Sequence, residues 1–335
     1  MFQDLRYGLR ILLKQPGFTL IVVLSLALGI GANTAIFSLL DVVLLKSLPV
    51  REPEQLVLFG SNKWGGVTDN FPNQSWELFS YPFYQEVRRR NEVFSEVAAY
   101  LSVVWKVHGA VDAGGTSGEM EQFEVQMVSG TYFPMLDVHP GLGRTLTEAD
   151  DQTPGGHPVA VVSHAWWERR LGGDPTVIGR TITIDRTAYT IVGVAPAEFF
   201  GTRVGHTPDF WVPLAMEAQM PPSHWKGRNE PSFQCLNLIA RLKSGVTIEQ
   251  AGAAVNLLFK QSLQAWAGAQ PSPERIQDLQ RAGIELTPAG KGISYLREQF
   301  SLSLRLLMAF VGVVLLIAPA RRATRIDPMA ALRNE

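Results

Sequence analysis

The sequence predicts a membrane protein in which two transmembrane α-helices flank a large α+β extracytoplasmic domain with two lobes. Two uncharged runs and the region between them carry that expectation. Residues 15–40 hold no charged side chain, and neither do residues 306–320. The stretch between the spans, residues 46–300, mixes strand and helix patterns without a regular βαβ alternation, which favours α+β over a doubly wound sheet. So long a stretch exceeds one small core, hence the two lobes.

Composition excludes several classes. The 335 residues include 30 Lys and Arg against 31 Asp and Glu, a formal net charge of −1. Hydrophobic residues make up 46%, which excludes a disordered chain. The balanced charge argues against a nucleic-acid partner, which selects for a basic excess. One cysteine, Cys235, allows neither an intramolecular disulfide framework nor a multi-cysteine metal site.

The elements follow from the N-terminus. Arg6, Arg10 and Lys14 recur every four residues and share a helix face, with Leu5, Leu9, Leu12 and Leu13 beside it. Residues 1–17 are therefore expected as a cytoplasmic amphipathic segment whose cations meet anionic headgroups of the lipid bilayer. A disordered basic leader fits so short a piece nearly as well. Residues 18–45 form the first expected span. The 26 uncharged positions would run ~39 Å as a helix, against a hydrocarbon core of ~30 Å. That is too long for the ~7–15-residue apolar region of a signal peptide. Within it Ala27, Gly31 and Ala35 make a small face on which a second helix can pack, with Asn33 placed to bond across. The general abundance of Gly and Ala in membrane helices explains the same residues about equally well.

In the outer region, Phe123, Val125 and Met127 alternate with polar neighbours, as do Leu236, Leu238, Ala240 and Leu242. Both runs predict strands. Thr181–Asp185 and Tyr189–Val194, joined at Asp185–Ala188, predict a hairpin. Thr247-Ile248-Glu249-Gln250 is a capping box that opens a helix through Ala251, Val255 and Leu258. Ser163 caps a second helix that Gly172-Gly173 stops. Pro82 opens a third over Phe83–Arg90, and Val93, Phe94 and Val97 continue with helical spacing. Residues 111–118 and 265–273 are expected as loops.

Residues 301–320 form the second expected span. Its fifteen uncharged positions give only ~22 Å of helix, so it crosses if it starts near Phe300 and Arg305 snorkels. Arg321, Arg322, Arg325 and Arg333 form a basic tail over 321–335. The richer cationic flanks are thus the two termini, which the positive-inside rule places in the cytoplasm.

No nucleotide-binding phosphate loop, H-E-x-x-H pair or G-x-S-x-G elbow is present. His164 and Glu168 are spaced to hold a metal on one helix face, but an ordinary polar surface is the far commoner meaning of that pair. Cys235, beside a strand, suits a core better than a nucleophile. No cofactor, no metal and no catalytic residue is expected, so the chain is not expected to be an enzyme.

Several longer motifs are distinctive together. They are Asp4-Leu5-Arg6-Tyr7-Gly8-Leu9-Arg10, Pro16-Gly17-Phe18-Thr19 and the run Leu26–Ser38. In the outer region they are Ser80-Tyr81-Pro82, Val128-Ser129-Gly130-Thr131-Tyr132-Phe133, Leu171-Gly172-Gly173-Asp174-Pro175 and Ile191–Pro196. Near the end stand Asp327-Pro328-Met329 and Ala331-Leu332-Arg333. Over nearly the whole chain the sequence resembles MacB/FtsX-type ABC transporter permeases, in particular the acidobacterial duplicated subgroup.

The resemblance implies a multi-pass protein of the bacterial inner membrane with a MacB-like periplasmic core domain at 46–300. It implies a separate ABC ATPase subunit, a second permease copy or homologue, and in many systems a periplasmic adaptor. It also implies mechanotransmission, in which ATPase motion reaches the periplasmic domain for export or extrusion. One departure stands out. Family units carry four membrane helices, whereas here Leu315-Leu316-Ile317-Ala318 runs straight into Pro319-Ala320-Arg321-Arg322, which resembles the close of the last helix. The expectation is a shortened permease subunit, the product of an internal deletion or of a degenerate or misassembled reading frame. The alternative is a membrane-anchored extracytoplasmic binding or sensor protein without catalysis of its own.

Overall fold

The computed structural model describes residues 47–60, 77–111, 120–220, 229–267, 276–277 and 281–293, together with the helical residues Gly17, Leu20, Ala27, Gly31 and Thr34. The chain divides into two compact units, one of residues 1–46 with 294–335 and one of Ser47–Ile293. Among the described residues no helix is long and apolar enough to cross a membrane. The second expected span, the basic tail, the amphipathic segment and most of the first span lie outside the described residues, as do residues 112–118 and 268–273 of the two expected loops.

Within Ser47–Ile293 the chain runs β1 (Leu56–Phe59), α1 (Tyr81–Arg90), β2 (Phe94–Leu101), β3 (Trp105–Val111), β4 (Glu121–Val128), α2 (Tyr132–Leu136) and β5 (Leu142–Gly143). It continues with β6 (Val159–Val162), α3 (His164–Leu171), β7 (Thr181–Ile184), β8 (Thr187–Val194), β9 (Phe210–Pro213), β10 (Leu236–Leu242), α4 (Ile248–Ala267) and β11 (Leu286–Pro288). One sheet orders them β11-β1-β10-β2-β4-β3-β7-β8-β6-β9, with β5 on β8. Strand β9 then returns to β4, Val125 opposite Phe210 in parallel register. Strands β4, β3, β7, β8, β6 and β9 thus close a six-stranded ring, while β11, β1, β10 and β2 extend as an open flank. Ring and flank are parts of one continuous sheet, and Ser47–Ile293 forms one compact unit in place of the two expected lobes. Closure removes the free edges that an open sheet exposes.

The ring is filled by side chains at alternate positions. Val107, Phe123, Ile182, Ile184, Ile191, Val162 and Phe210 join one buried cluster, and Phe123 meets Phe210 edge-on at 5.1 Å. The same cluster runs under α1 and α4, where Phe83 packs on Phe259 at 5.2 Å. The opposite face of the sheet buries Leu56, Leu58, Tyr100, Ile239 and Trp211 beneath α2 and Phe199. Strands β1, β2 and β10 are therefore covered on both faces, and their sequences lose clean alternation as a result.

One expectation is corrected. Phe94 and Val97 lie in β2, not in a helix; both reach the same core because the register shifts opposite Arg241 and Leu242, and that bulge gives the strand the three-residue spacing of a helix. Likewise Ala265–Ala267 belong to α4 and not to a loop. The expected strands at Glu121–Val128 and Leu236–Leu242 and the hairpin at 181–194 are present. Three helix starts are capped as their sequences direct. The Phe83 amide donates to Ser80 Oγ at 3.4 Å and the Trp166 amide to Ser163 Oγ at 3.3 Å. Thr247 and Gln250 exchange side-chain-to-backbone bonds at 3.0 and 3.3 Å, a full capping box. Gly172, with φ +60°, ends α3.

Candidate functional site

The two ends of the Ser47–Ile293 unit lie side by side. The Leu48 amide donates to Gly290 O at 2.8 Å and the Ala289 amide to Leu56 O at 2.8 Å. Strands β1 and β11 pair from Val57–Pro288 to Phe59–Leu286. Glycines make this approach possible. A Cβ on Gly290 would stand 2.3 Å from Pro53 O. Gly292 has φ +68°, and a Cβ there would meet Leu48 Cδ2 at 2.8 Å and Thr202 O at 2.9 Å. Only glycine fits both the backbone and the space.

The outgoing end is also bound to the connection between β8 and β9. Ile293 lies in a parallel bridge with Arg203: its amide donates to Thr202 O at 2.8 Å, and its carbonyl accepts from the Val204 amide at 2.8 Å. The connection is anchored in turn. Tyr132 Oη donates to Thr202 Oγ1 at 3.3 Å. Burial pushes the Tyr132 hydroxyl up to about 12, so it stays a neutral donor at any physiological pH. Arg203 Nη2 donates to Ser102 O, at the bend between β2 and β3, at 2.9 Å. His206 Nε2 lies 3.0 Å from Glu124 Oε2 on β4. Asp209 and Glu124 exchange further bonds, the Asp209 amide to Glu124 O at 2.7 Å and the Glu124 amide to Asp209 Oδ2 at 3.0 Å. Burial raises the Asp209 carboxyl despite the nearby Arg169 guanidinium.

A second polar centre joins α1 to α2. Tyr84 Oη, Thr131 Oγ1 and Ser129 Oγ form a buried hydroxyl chain with steps of 3.1 and 2.9 Å. Thr131 donates to Val97 O and Ser129 accepts from the Ala99 amide. A crevice of about 310 Å³ opens above it, walled by Tyr81, Gln85, Arg88, Glu148 and Asp151. Its charged groups already answer internal partners: Arg88 meets Glu148 at 3.0 Å, and Asp151 Oδ1 accepts from the Ala215 amide at 2.6 Å. The network is a brace with its bonds spoken for.

The residues singled out from sequence fall as follows. Ala27 and Gly31 are helical and exposed, and a Cβ built on Gly31 meets nothing within 4 Å. Asn33, Ala35 and the cations Arg6, Arg10, Lys14, Arg321, Arg322 and Arg325 lie outside the described residues. His164 Nε2 sits 4.0 Å from Glu168 Oε1 and its ring packs on Trp167. Among the described residues no group of three or more His, Cys, Asp or Glu could hold a metal ion. Cys235 is buried just before β10 and forms no disulfide. Sequence reasoning missed Thr202, Arg203, Val204 and Ile293, whose bonds are mostly main-chain. The available signal was the glycine spacing at 201, 205, 290 and 292.

The fold and the paired ends define a class: an α+β module built on one sheet, whose first and last residues emerge together. The chain belongs to the MacB-like periplasmic core domain family, whose model matches residues 19–258. That family is one of inner-membrane transporter permeases with a periplasmic domain, not a family of enzymes. Similar solved structures include the periplasmic region of MacB from Actinobacillus actinomycetemcomitans, with TM-score 0.46, 10% identity, and 76% of this chain and 94% of that one covered. A domain of a putative permease protein from Porphyromonas gingivalis has TM-score 0.44, 14% identity, and 75% and 98% covered. The extracellular domain of the noncanonical ABC-type transporter YknZ from Gram-positive bacteria has TM-score 0.43, 12% identity, and 62% and 94% covered. No curated protein matches the sequence.

Proposed function

We propose that this chain is a permease subunit of a MacB/FtsX-type ABC transporter. In this reading it relays motion of a separate cytoplasmic ATPase to the Ser47–Ile293 domain, which acts in export or extrusion across the inner membrane. Membrane helices at 18–45 and 301–320 carry the domain between them, with both termini cytoplasmic and residues 46–300 periplasmic. Ala27, Gly31, Asn33 and Ala35 face a second permease copy or homologue, and the terminal arginines and Lys14 rest on anionic lipid. The junction at residues 315–322 makes this a shortened unit, with fewer helices than the family's four.

The observation that carries the reading is the pairing of the domain's ends. Leu48 and Gly290 are held together by a 2.8 Å hydrogen bond, so an apolar segment on each side would leave the domain at one place. That arrangement suits a relay, because movement at the ends enters the sheet directly through β1 and β11. Reporter fusions test the topology. A phosphatase joined at Gly115 is expected to be active and one joined at Glu335 inactive. The opposite pattern refutes the permease reading and the anchored-sensor alternative in this orientation alike.

A further inference from the structure

We infer that Thr202–Val204 is a strap that ties the outgoing end of the domain to the six-stranded ring. A displacement of Ile293 is then delivered to β8 and β9 and not absorbed at the edge of the sheet. The inference rests on the permease reading for the source of the load, though not for the geometry.

The strap is bound to Ile293 by two main-chain bonds of 2.8 Å running in opposite senses. It is covalently continuous with ring strands on both sides, β8 ending at Val194 and β9 starting at Phe210. Its side chains reach two further layers, Thr202 to Tyr132 of α2 and Arg203 to Ser102 at the β2–β3 bend. Slack is absent. The space beside Gly292 is too small for one Cβ, with Leu48 on one side and Thr202 and Val204 on the other. The incoming end, the outgoing end and the strap thus touch within one methyl group's width. Ile293 cannot move away from Leu48 by a hydrogen-bond length without either dragging Thr202–Val204 or breaking both bridge bonds. Either outcome registers a displacement of Ile293 at Thr202–Val204.

Hydrogen–deuterium exchange read by mass spectrometry tests the strap, using the full chain in phosphatidylcholine–phosphatidylglycerol nanodiscs. Gly292→Ala wedges the end away from the strap. Exchange about tenfold faster is expected at Val204 and Ile293 and in peptides over 187–194 and 210–213, with α4 at wild-type rates. In Arg203→Ala the strap loses its hold on Ser102, so adding Gly292→Ala is expected to accelerate the ring peptides less than threefold. Acceleration confined to residues 289–293 in Gly292→Ala overturns the inference, and so does equal acceleration in α4. If Gly292→Ala fails to fold, Ile293→Ala, which keeps the main chain and trims a side chain only 5% exposed, is read in the same way. A reporter at Gly115 found in the cytoplasm would sink the permease reading and leave the exchange result standing.

Discussion

The β7–β8 hairpin turns on Asp185 and Arg186, with φ of +42° and +73°. Both values are positive, the sign pattern of a type I′ two-residue loop, for which Asn-Gly or Asp-Gly is the favoured sequence. Here the second position is an exposed arginine. A left-handed conformation costs a non-glycine residue roughly 1–2 kcal/mol. Arg186→Gly removes that strain and adds roughly 0.5–1 kcal/mol of unfolded-chain entropy. The net expectation is a gain of about 0.5–1 kcal/mol. For a unit of this size, roughly 2–4 °C accompanies each kcal/mol, so Tm should rise by about 1–4 °C. Arg186→Ala is the control. Alanine keeps the left-handed strain and loses only an exposed side chain, so its change should stay within about 0.5 kcal/mol. Thermal unfolding of the full chain in detergent, followed by tryptophan fluorescence, reads both. Equal Tm for Arg186→Gly and Arg186→Ala would show that strain at this φ is not what limits the hairpin.

Two further outcomes are expected. Burial pushes the Asp150 carboxyl up, but the two-pronged contact from Arg144 at 2.7 and 2.9 Å and the bonds from Thr147 outweigh it and hold the group below its ordinary 3.8. A depressed carboxylate contributes stability above its unfolded pKa and loses it as pH falls through the folded one. Arg144→Ala should therefore destabilise by about 1 kcal/mol at pH 7, because the Arg144 side chain is 47% exposed and solvent screens the pair, with the gap to wild type closing below about pH 3.8 in acid-unfolding curves; a gap unchanged at pH 3 would count against the pair. In the proposed span at 18–45, Gly31→Leu would place bulk on the proposed small face and should weaken self-association in a membrane two-hybrid assay. Unchanged association would return Ala27, Gly31 and Ala35 to ordinary membrane-helix composition.

Local structure was legible wherever one side chain decides it. Ser80, Ser163 and Thr247 announced helix starts, Gly172 a stop, and Phe123–Met127 a strand with one polar face at its start. Legibility failed where burial is two-sided. In β2, Ala98 and Tyr100 face one core while Val97, Ala99 and Leu101 face the other, so no period of two survives in the hydropathy. Sheet order was beyond reach for a related reason. The closing pair, β4 with β9, joins Val125 to Phe210 across 85 residues, and nothing local in either strand names its partner. The ends were illegible because main-chain groups form them. Thr202 O, Val204 N–H and Ile293 N–H exist at every non-proline position, and only tertiary placement makes them a site.

Among the described residues, several of the motifs that carry the family likeness are folding junctions. Ser80 caps α1, Ser129 and Thr131 brace β2 against α2, and Gly130 admits no Cβ because Thr147 O would lie 2.2 Å away. Gly172 stops α3, and Asp174 both caps the next turn and accepts the Trp167 indole N–H on its carbonyl at 2.9 Å. Each position is fixed by a bond or a clearance inside the domain, and none of these groups is left facing outward with its chemistry unspent. A likeness built on such positions reports how the chain folds, and it carries no information on cargo. In the proposed permease, cargo recognition would then fall to other residues, on the solvent side of the ring and helices. The relay would run through the joined ends and the sheet that connects them to the ring. On that reading, substrate choice and force transmission rest on different residues. Changes at the strap should therefore alter coupling without altering which molecule is moved.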